Sequence, residues 1–140
     1  IRHNAHINDV VIDCNSQYAV SASSDSTAVI WNISTGERLN TLSHEGAVKK
    51  LRISPDGKIL ATLCSNIIYL WNIETAAKVK FQMRHDSEIS DFNFSPDGKI
   101  IVSSTINNVC RLWDVETGEE ITSPYIPTGW IGTSSFSTDN

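Results

Sequence analysis

The sequence lacks several features that would assign a function directly. Its 140 residues contain only three cysteines, four prolines and one methionine. An odd number of cysteines without regular spacing does not predict a disulfide framework, and free thiols are typical of a reducing compartment. No apolar stretch is long enough to span a membrane, and no signal peptide opens the chain. We therefore expect an intracellular protein, in the cytoplasm or the nucleus.

An excess of basic residues is also missing. Eleven Lys and Arg stand against sixteen Asp and Glu, for a formal net charge of −5, which argues against a general nucleic-acid surface. A glycine-rich phosphate loop, a Cys-x-x-Cys pair and a His-Glu-x-x-His motif are absent, so we expect no cofactor and no metal. The one compact basic group is Lys49, Lys50 and Arg52. It is either a phosphate-binding face with salt-dependent binding or the solvated edge of a strand, and charge runs are usually the latter.

What the sequence does contain is one pattern written three times. Its copies begin at His3, His44 and His85, so the period is 41 residues (44 − 3 and 85 − 44). A fixed period of this length indicates a repeat architecture. Repeat two is one residue short before its tryptophan. The other columns hold a hydroxyl residue (Ser21, Thr62, Ser103), a turn residue (Asp25, Asn66, Asn107) and a tryptophan (Trp31, Trp71, Trp113).

Each repeat predicts four short strands separated by turn residues, which is an all-β pattern. Ser-Pro-Asp-Gly, which occurs twice, suits a type I turn. After a loop, the end of the chain echoes the first strand of repeat three and is expected to begin a fourth repeat. The expected strands are 7–12, 18–23, 27–32 and 37–42 in repeat one, 48–53, 59–64, 67–72 and 78–83 in repeat two, and 89–94, 100–104, 108–114 and 119–122 in repeat three.

These repeats resemble the WD-repeat family, whose unit of about 40–45 residues forms one four-stranded blade of a β-propeller. Arg-Leu-Trp-Asp at 111–114, Glu-Thr-Gly at 116–118 and the two Ser-Pro-Asp-Gly-Lys stretches are typical of it. The sequence departs from the family where Trp-Asp becomes Trp-Asn in repeats one and two. The resemblance implies an incomplete propeller over residues 1–140, with blades at 7–43, 48–83 and 89–122 and the first strand of a further blade at 131–140.

In this family the histidine, hydroxyl, turn and tryptophan residues of a blade join in a buried hydrogen-bond relay. The chemistry suits this, because an indole N–H only donates, whereas a hydroxyl and an imidazole can each donate and accept. A buried partner left unpaired costs about 1–3 kcal/mol, so the members should be kept together. Since only blade one has a carboxylate in the turn, we expect it to hold its histidine most firmly. The implied sets are His3, Ser21, Asp25 and Trp31; His44, Thr62, Asn66 and Trp71; and His85, Ser103, Asn107 and Trp113.

Two other interpretations of the same residues, a metal site and a catalytic triad, are less well supported. Three evenly spaced histidines suggest a metal site, but repeated positions of a propeller are spread around the ring, and metal ligands must converge at about 2 Å. Serine, histidine and aspartate together suggest a hydrolase triad. Here each hydroxyl is paired with a tryptophan and recurs in every blade, which favours a structural role.

The resemblance implies a non-catalytic scaffold for protein–protein interaction in a multiprotein complex, whose rigid strands fix loops that bind a protein or peptide. Several of the candidate loop residues are acidic, which suggests a ligand with some positive charge. The alternative is a sensor or substrate-recruiting propeller of a multidomain enzyme or signalling protein whose catalytic domain lies outside this chain. The partner-binding candidates are His6, Ser24, Glu45, Ser65, Asp86, Glu88 and Ile106.

Three blades do not close a propeller, which needs about four to eight blades to protect its strand edges. Alone, such a chain would expose edge strands and apolar faces of its outermost blades. We therefore expect this chain to be a fragment of a longer propeller, or to be completed by blades of another chain.

Overall fold

The computed structural model describes residues 2–121 and contains strands but no helices within that range. No helix that could cross a membrane is therefore present among the described residues. The strands are β1 (Ile7–Ile12), β2 (Tyr18–Ser23), β3 (Thr27–Asn32), β4 (Arg38–Ser43), β5 (Lys50–Ile53), β6 (Ile59–Cys64), β7 (Ile67–Asn72), β8 (Lys78–Arg84), β9 (Ile89–Phe94), β10 (Ile100–Thr105) and β11 (Cys110–Asp114).

The strands form three antiparallel sheets in which chain neighbours are also sheet neighbours. The orders are β1-β2-β3-β4, β5-β6-β7-β8 and β9-β10-β11. Beyond β11, Glu120 forms a single bridge with Trp113, and the amide of Ile121 donates to the carbonyl of Leu112 at 2.8 Å. Pairing of a fourth strand therefore begins where the sequence predicts it. The remainder of that strand, and the expected fourth repeat at 131–140, lie outside the described residues.

Most strand positions predicted from the sequence are confirmed, and the differences have local causes. The strand expected from Val48 begins at Lys50, because the Val48 amide donates across to the Ser23 carbonyl of the first sheet at 3.0 Å. The strand expected from Asn108 begins at Cys110, because Asn108 has a φ of 64° and completes the preceding turn. The blade boundaries at 7–43, 48–83 and 89–122 stay a prediction.

The three sheets pack face to face as consecutive blades of a β-propeller, with an incomplete ring in the described residues. The first strands lie side by side, since Asn8 Nδ2 in β1 donates to the Val48 carbonyl just before β5 at 2.8 Å. In blades two and three, the face that carries the tryptophan packs on the blade before it. Blades one and two share a core of Val20, Ala22, Ala28, Ile30, Leu42, Leu51, Leu60, Ile67, Tyr69 and Trp71; blades two and three share Ala61, Leu63, Ile68, Leu70, Met83, Ile89, Phe92, Ile101 and Trp113.

Candidate functional site

One end of the sheets carries all the partner-binding candidates. We call it the loop face: the loops at 4–6, 45–47 and 86–88 before each blade, and the tight turns at 24–26, 65–66 and 106–108. The turn and the loop of a blade are tied by backbone hydrogen bonds, from Ser24 to the His6 carbonyl at 2.9 Å and from Ile106 to the Glu88 carbonyl at 3.0 Å. Glu88 is half-buried and the other six candidates are exposed; the Ile106 side chain is 59% exposed.

In blade one the structure brings all four residues of the implied set together. Trp31 Nε1 donates to Ser21 Oγ at 2.8 Å, and His3 Nε2 lies 2.7 Å from the same oxygen. His3 Nδ1 lies 3.0 Å from Asp25 Oδ2. Because a carboxylate only accepts, Nδ1 carries the proton and Nε2 accepts from the serine hydroxyl. The series of hydrogen bonds therefore runs without interruption from the Trp31 indole to the Asp25 carboxylate.

Asp25 is held as an anion. Burial raises its pKa, but hydrogen bonds from Thr27, the Asn4 amide and His3 outweigh burial and set the pKa well below its usual range. The distances from Asp25 to Thr27 Oγ1 and to the Asn4 amide are 2.6 and 2.9 Å. The carboxylate thus fixes the first loop of the chain as well as the histidine.

Blades two and three bring together three of the four residues. The hydroxyls of Thr62 and Ser103 accept from the indoles of Trp71 and Trp113 at 3.0 and 2.7 Å. Each hydroxyl also lies 2.7 Å from the imidazole Nε2 of its blade, in His44 or His85. The central part of the set is therefore the same in all three blades.

The asparagines of these two blades bond elsewhere. Asn66 Nδ2 donates to the carbonyl of His85 at 2.7 Å, while His44 Nδ1 donates to the carbonyl of Leu42 at 3.1 Å. Asn107 accepts a hydrogen bond from the hydroxyl of Thr105. The β6–β7 turn has two residues where the β2–β3 turn has three, so Asn66 is not presented to His44 as Asp25 is to His3.

His44 and His85 are neutral at physiological pH. Burial lowers the pKa of His44 to about 4, an effect that the hydrogen bond to Leu42 opposes and the charge of Lys78 reinforces. Burial likewise lowers the pKa of His85 to about 4, with a further lowering from Arg111. Ser21, Thr62 and Ser103 are completely buried, so their hydroxyls are closed off from any substrate. The sets hold the blades together and present no reactive group.

The acidic residues of the loop face are largely neutralised by the protein itself. Glu88 pairs with Lys49, and Asp86 Oδ2 lies 3.2 Å from Arg111 NH2. The expectation of a positively charged ligand therefore rests on Glu45 more than on the other two. Within residues 2–121, no three or more His, Cys, Asp or Glu side chains are grouped so that they could hold a metal ion.

Sequence reasoning missed what the basic group does. Lys50 Nζ donates to Asp91 Oδ1 at 2.9 Å, and Arg52 Nε donates to Asn93 Oδ1 at 2.8 Å. These cations on β5 therefore contact β9, although their side chains stay 37% and 32% exposed. The 41-residue period held the signal, because positions 50 and 91 are equivalent and carry opposite charge.

Two grooves at the opposite end of the sheets were also missed. One lies between blades two and three with a cavity volume of about 380 Å³, and the other lies between blades one and two with about 330 Å³. Asp56, in the Ser-Pro-Asp-Gly turn at 54–57, lines both grooves. A hydrogen bond from Ser54 lowers the pKa of this carboxyl. The turn carboxylates thus serve first to close their own turns.

Comparison with known sequences gives a family profile and a group of relatives. The profile described as "WD domain, G-beta repeat" matches residues 1–32, 36–72 and 78–114. "Guanine nucleotide-binding protein subunit beta" of Oryza sativa subsp. japonica is 29% identical over 111 residues, which cover 73% of this chain and 29% of that protein. The protein of the same name from Zea mays is 26% identical over 111 residues with the same coverage. The chain thus spans less than a third of the length of these relatives.

Solved structures show the same fold at low sequence identity. "Structure of U3-55K" superposes with a TM-score of 0.81 at 19% identity, covering 91% of this chain and 41% of that one. "Crystal structure of RRP9 WD40 repeats" gives a TM-score of 0.79 at 20% identity, covering 87% of this chain and 39% of that one.

Proposed function

The chain belongs to the WD domain, G-beta repeat family, a family of generally non-catalytic protein-interaction scaffolds, and we propose that this chain is such a scaffold, with a protein or peptide partner bound on its loop face. The observation that carries the proposal is the way the loop face is built. Exposed side chains stand on loops whose bases are fixed by buried hydrogen-bond sets, so the loops are held in place before a partner arrives. A preorganised surface loses little conformational freedom on binding.

A catalytic role is poorly supported by the same sets. The serine and threonine hydroxyls that could act as nucleophiles are buried beneath the loops and are saturated by an indole and an imidazole. A hydrolase needs its nucleophile within reach of a substrate carbonyl and of an oxyanion site. We therefore propose that this part of the protein performs no chemistry.

We also propose that these blades are part of a larger propeller in a multiprotein complex. The side chains of Val10 and Ile12 in β1 are 49% and 61% exposed. Leu51, one repeat later than Val10, is completely buried against blade one, and Phe92, two repeats later, is completely buried against blade two. The tryptophan-bearing face of blade one therefore has the composition of a covered face. A further blade, from a longer chain or from another chain, would cover it.

A signalling role is the second candidate. The observation in its favour is the name of the relatives, each of which is a subunit of a guanine nucleotide-binding protein. In that case this chain would recruit or sense a partner, and the catalytic domain would lie outside it. The three cysteines of the chain are free, which fits the intracellular location proposed for either role.

The proposal is tested by charge substitutions on the two ends of the sheets. Glu45→Arg with Ile106→Arg changes the loop face, and Glu74→Arg with Glu116→Arg changes exposed turns at the opposite end by a similar charge. Partners that co-purify with the unmodified full-length protein are then quantified for each pair. We expect the loop-face pair to lose discrete partners and the opposite pair to keep them. Loss only with the opposite pair, or with neither, contradicts the proposal.

A further inference from the structure

A single arginine contacts all three described blades. Arg52 lies on β5, in the middle blade. Its NH1 is 3.8 Å from Asp9 Oδ2 of blade one, its NH2 is 3.5 Å from Asp91 Oδ1 of blade three, and its Nε donates to Asn93 Oδ1 at 2.8 Å. We call Asp9, Lys50, Arg52 and Asp91, with Asn93, the Arg52 bridge. The planar guanidinium presents five donors in a fixed geometry, which suits contacts in several directions at once.

The carboxylate at the far end of the bridge is buried. The Asp91 side chain is only 5% exposed, and two cations approach its Oδ1: Lys50 at 2.9 Å and Arg52 at 3.5 Å. Lys50 also donates to the carbonyl of Ser90 at 2.9 Å. A buried carboxylate loses its hydration, so it depends on paired cations for its stability. Removal of one of them takes away an ion pair at the junction of blades two and three.

The two junctions between blades are built differently. At the junction of blades one and two, Asp9 Oδ2 accepts from the Leu51 amide at 2.8 Å and Asn8 donates to a backbone carbonyl. At the junction of blades two and three, cationic side chains make the corresponding contacts. The cause is one column of the repeat, which reads Asp9, Lys50 and Asp91. Inner-strand contacts at the second junction therefore depend on full charges on both sides.

The bridge is also continuous with the loop face. Lys49, next to Lys50, pairs with Glu88 in the loop before blade three. Arg52 packs its guanidinium 5.8 Å from the centre of the Phe92 ring, which anchors it to β9. An ion pair directly before β5 therefore connects the bridge to the loop at 86–88.

We propose that the Arg52 bridge is an ionic clamp that holds the inner strands of blades two and three together and that is weakened by salt. Arg52 and Lys50 are 32% and 37% exposed on their side chains, so dissolved ions reach the clamp. The screening length falls from about 10 Å at 0.1 M salt to about 3 Å at 1 M. The apolar contacts of the same junction are not weakened by this screening. The inference concerns how the blades are joined, and it stands whether or not the loop face binds a partner.

The test compares amide hydrogen exchange in Arg52→Met with that in Lys58→Met. Methionine keeps much of the arginine stem but removes its charge and donors. Lys58 is a suitable control, because its side chain is 77% exposed and pairs only loosely with Asp56 of its own turn, at 3.9 Å. At 0.05 M NaCl we expect amides of β9 to exchange about tenfold faster in Arg52→Met, which lies between the effects of exposed and buried ion pairs. Amides of β3, which lies between β2 and β4 in blade one and carries no member of the clamp, should keep their rate in both variants.

Equal exchange of β9 in the two variants overturns the proposal, and so does an equal rise in β3 and β9, which would mean general destabilisation. A second measurement needs no substitution. In the unmodified chain, raising NaCl from 0.05 M to 1 M should speed exchange in β9 relative to β3. A ratio that does not change with salt overturns the proposal even if Arg52→Met fails to fold.

Discussion

At the scale of single residues, the three blades share one hydrogen-bonded core and differ in the turn residue beside it. The columns of histidine, hydroxyl and tryptophan are joined by hydrogen bonds in every blade. The turn column is joined to the histidine only in blade one, where it is Asp25. An asparagine can accept the same bond, but it also donates, and in blade two Asn66 donates to a backbone carbonyl. In blade two the turn is also one residue shorter than in blade one, and a residue column does not specify that difference.

The central hydroxyl of a set should be essential to stability. In Ser103→Ala, the Trp113 N–H loses its acceptor and the His85 imidazole loses its donor, both in buried surroundings. We expect the free energy of unfolding to fall by about 1–3 kcal/mol. Urea denaturation measures it, with Ser43→Ala as the control on an exposed strand position. A loss no greater than that of the control would show that the set contributes nothing.

The buried histidines should make the chain sensitive to mild acid. The folded-state pKa of His44 and His85 is about 4, below the ordinary value of 6.5, so protonation favours the unfolded chain. Their contribution to the free energy of unfolding is complete above pH 6.5 and is lost as the pH falls from 6.5 towards 4. We expect a loss of about 2 kcal/mol per histidine by pH 5. Urea midpoints at pH 7.5, 6 and 5 measure it, and a midpoint that is constant over this range is incompatible with neutral buried histidines.

At the scale of elements, short strands and tight turns were predictable because their signals are local. Alternating or continuous apolar residues between Gly, Pro, Asp and Asn mark the strands whatever surrounds them. The misplaced boundaries lie where a tertiary contact competes with a local signal. Val48 is apolar and β-branched, yet its amide bonds to the neighbouring blade. Contacts across junctions, including the Arg52 bridge, join residues about one repeat apart, and no local pattern specifies them.

Two glycines in equivalent turns should respond differently to the same substitution. Gly36 and Gly118 have φ values of 72° and 74°, so alanine is strained at both, at about 1–2 kcal/mol. A Cβ on Gly36 meets nothing within 4 Å, whereas a Cβ on Gly118 would lie 2.0 Å from Phe81 Cδ2 of blade two. We expect Gly118→Ala to be more destabilising than Gly36→Ala by about 1–3 kcal/mol in urea denaturation, since the Phe81 ring must move.

The extra destabilisation by Gly118→Ala over Gly36→Ala should disappear in a chain that carries Phe81→Ala, because the ring that the new Cβ would meet is then absent. Equal destabilisation by the two glycine substitutions would show that the contact between the turn of blade three and β8 is not tightly packed.

At the scale of the whole molecule, the repeat predicts that each blade is covered on its tryptophan-bearing face by the blade before it. Blades two and three are covered in this way, whereas no blade precedes blade one within residues 2–121. Val10 and Ile12 occupy the positions that Leu51 and Ile53 fill in blade two, where they pack against blade one. The central claim is therefore that this face of blade one is a junction surface. The scaffold function depends on it, since loops hold fixed positions only on blades that are themselves held.

Binding of a hydrophobic fluorescent dye to the 140-residue chain tests this claim most directly. Val10→Ser with Ile12→Ser changes the exposed β1 positions of this face, and Ile33→Ser with Leu39→Ser changes side chains that are 41% and 42% exposed elsewhere in blade one. The account predicts that the unmodified chain binds the dye, that the first pair loses most of the binding and that the second pair keeps it. No binding by the unmodified chain, or equal loss in both pairs, would contradict a junction surface on blade one.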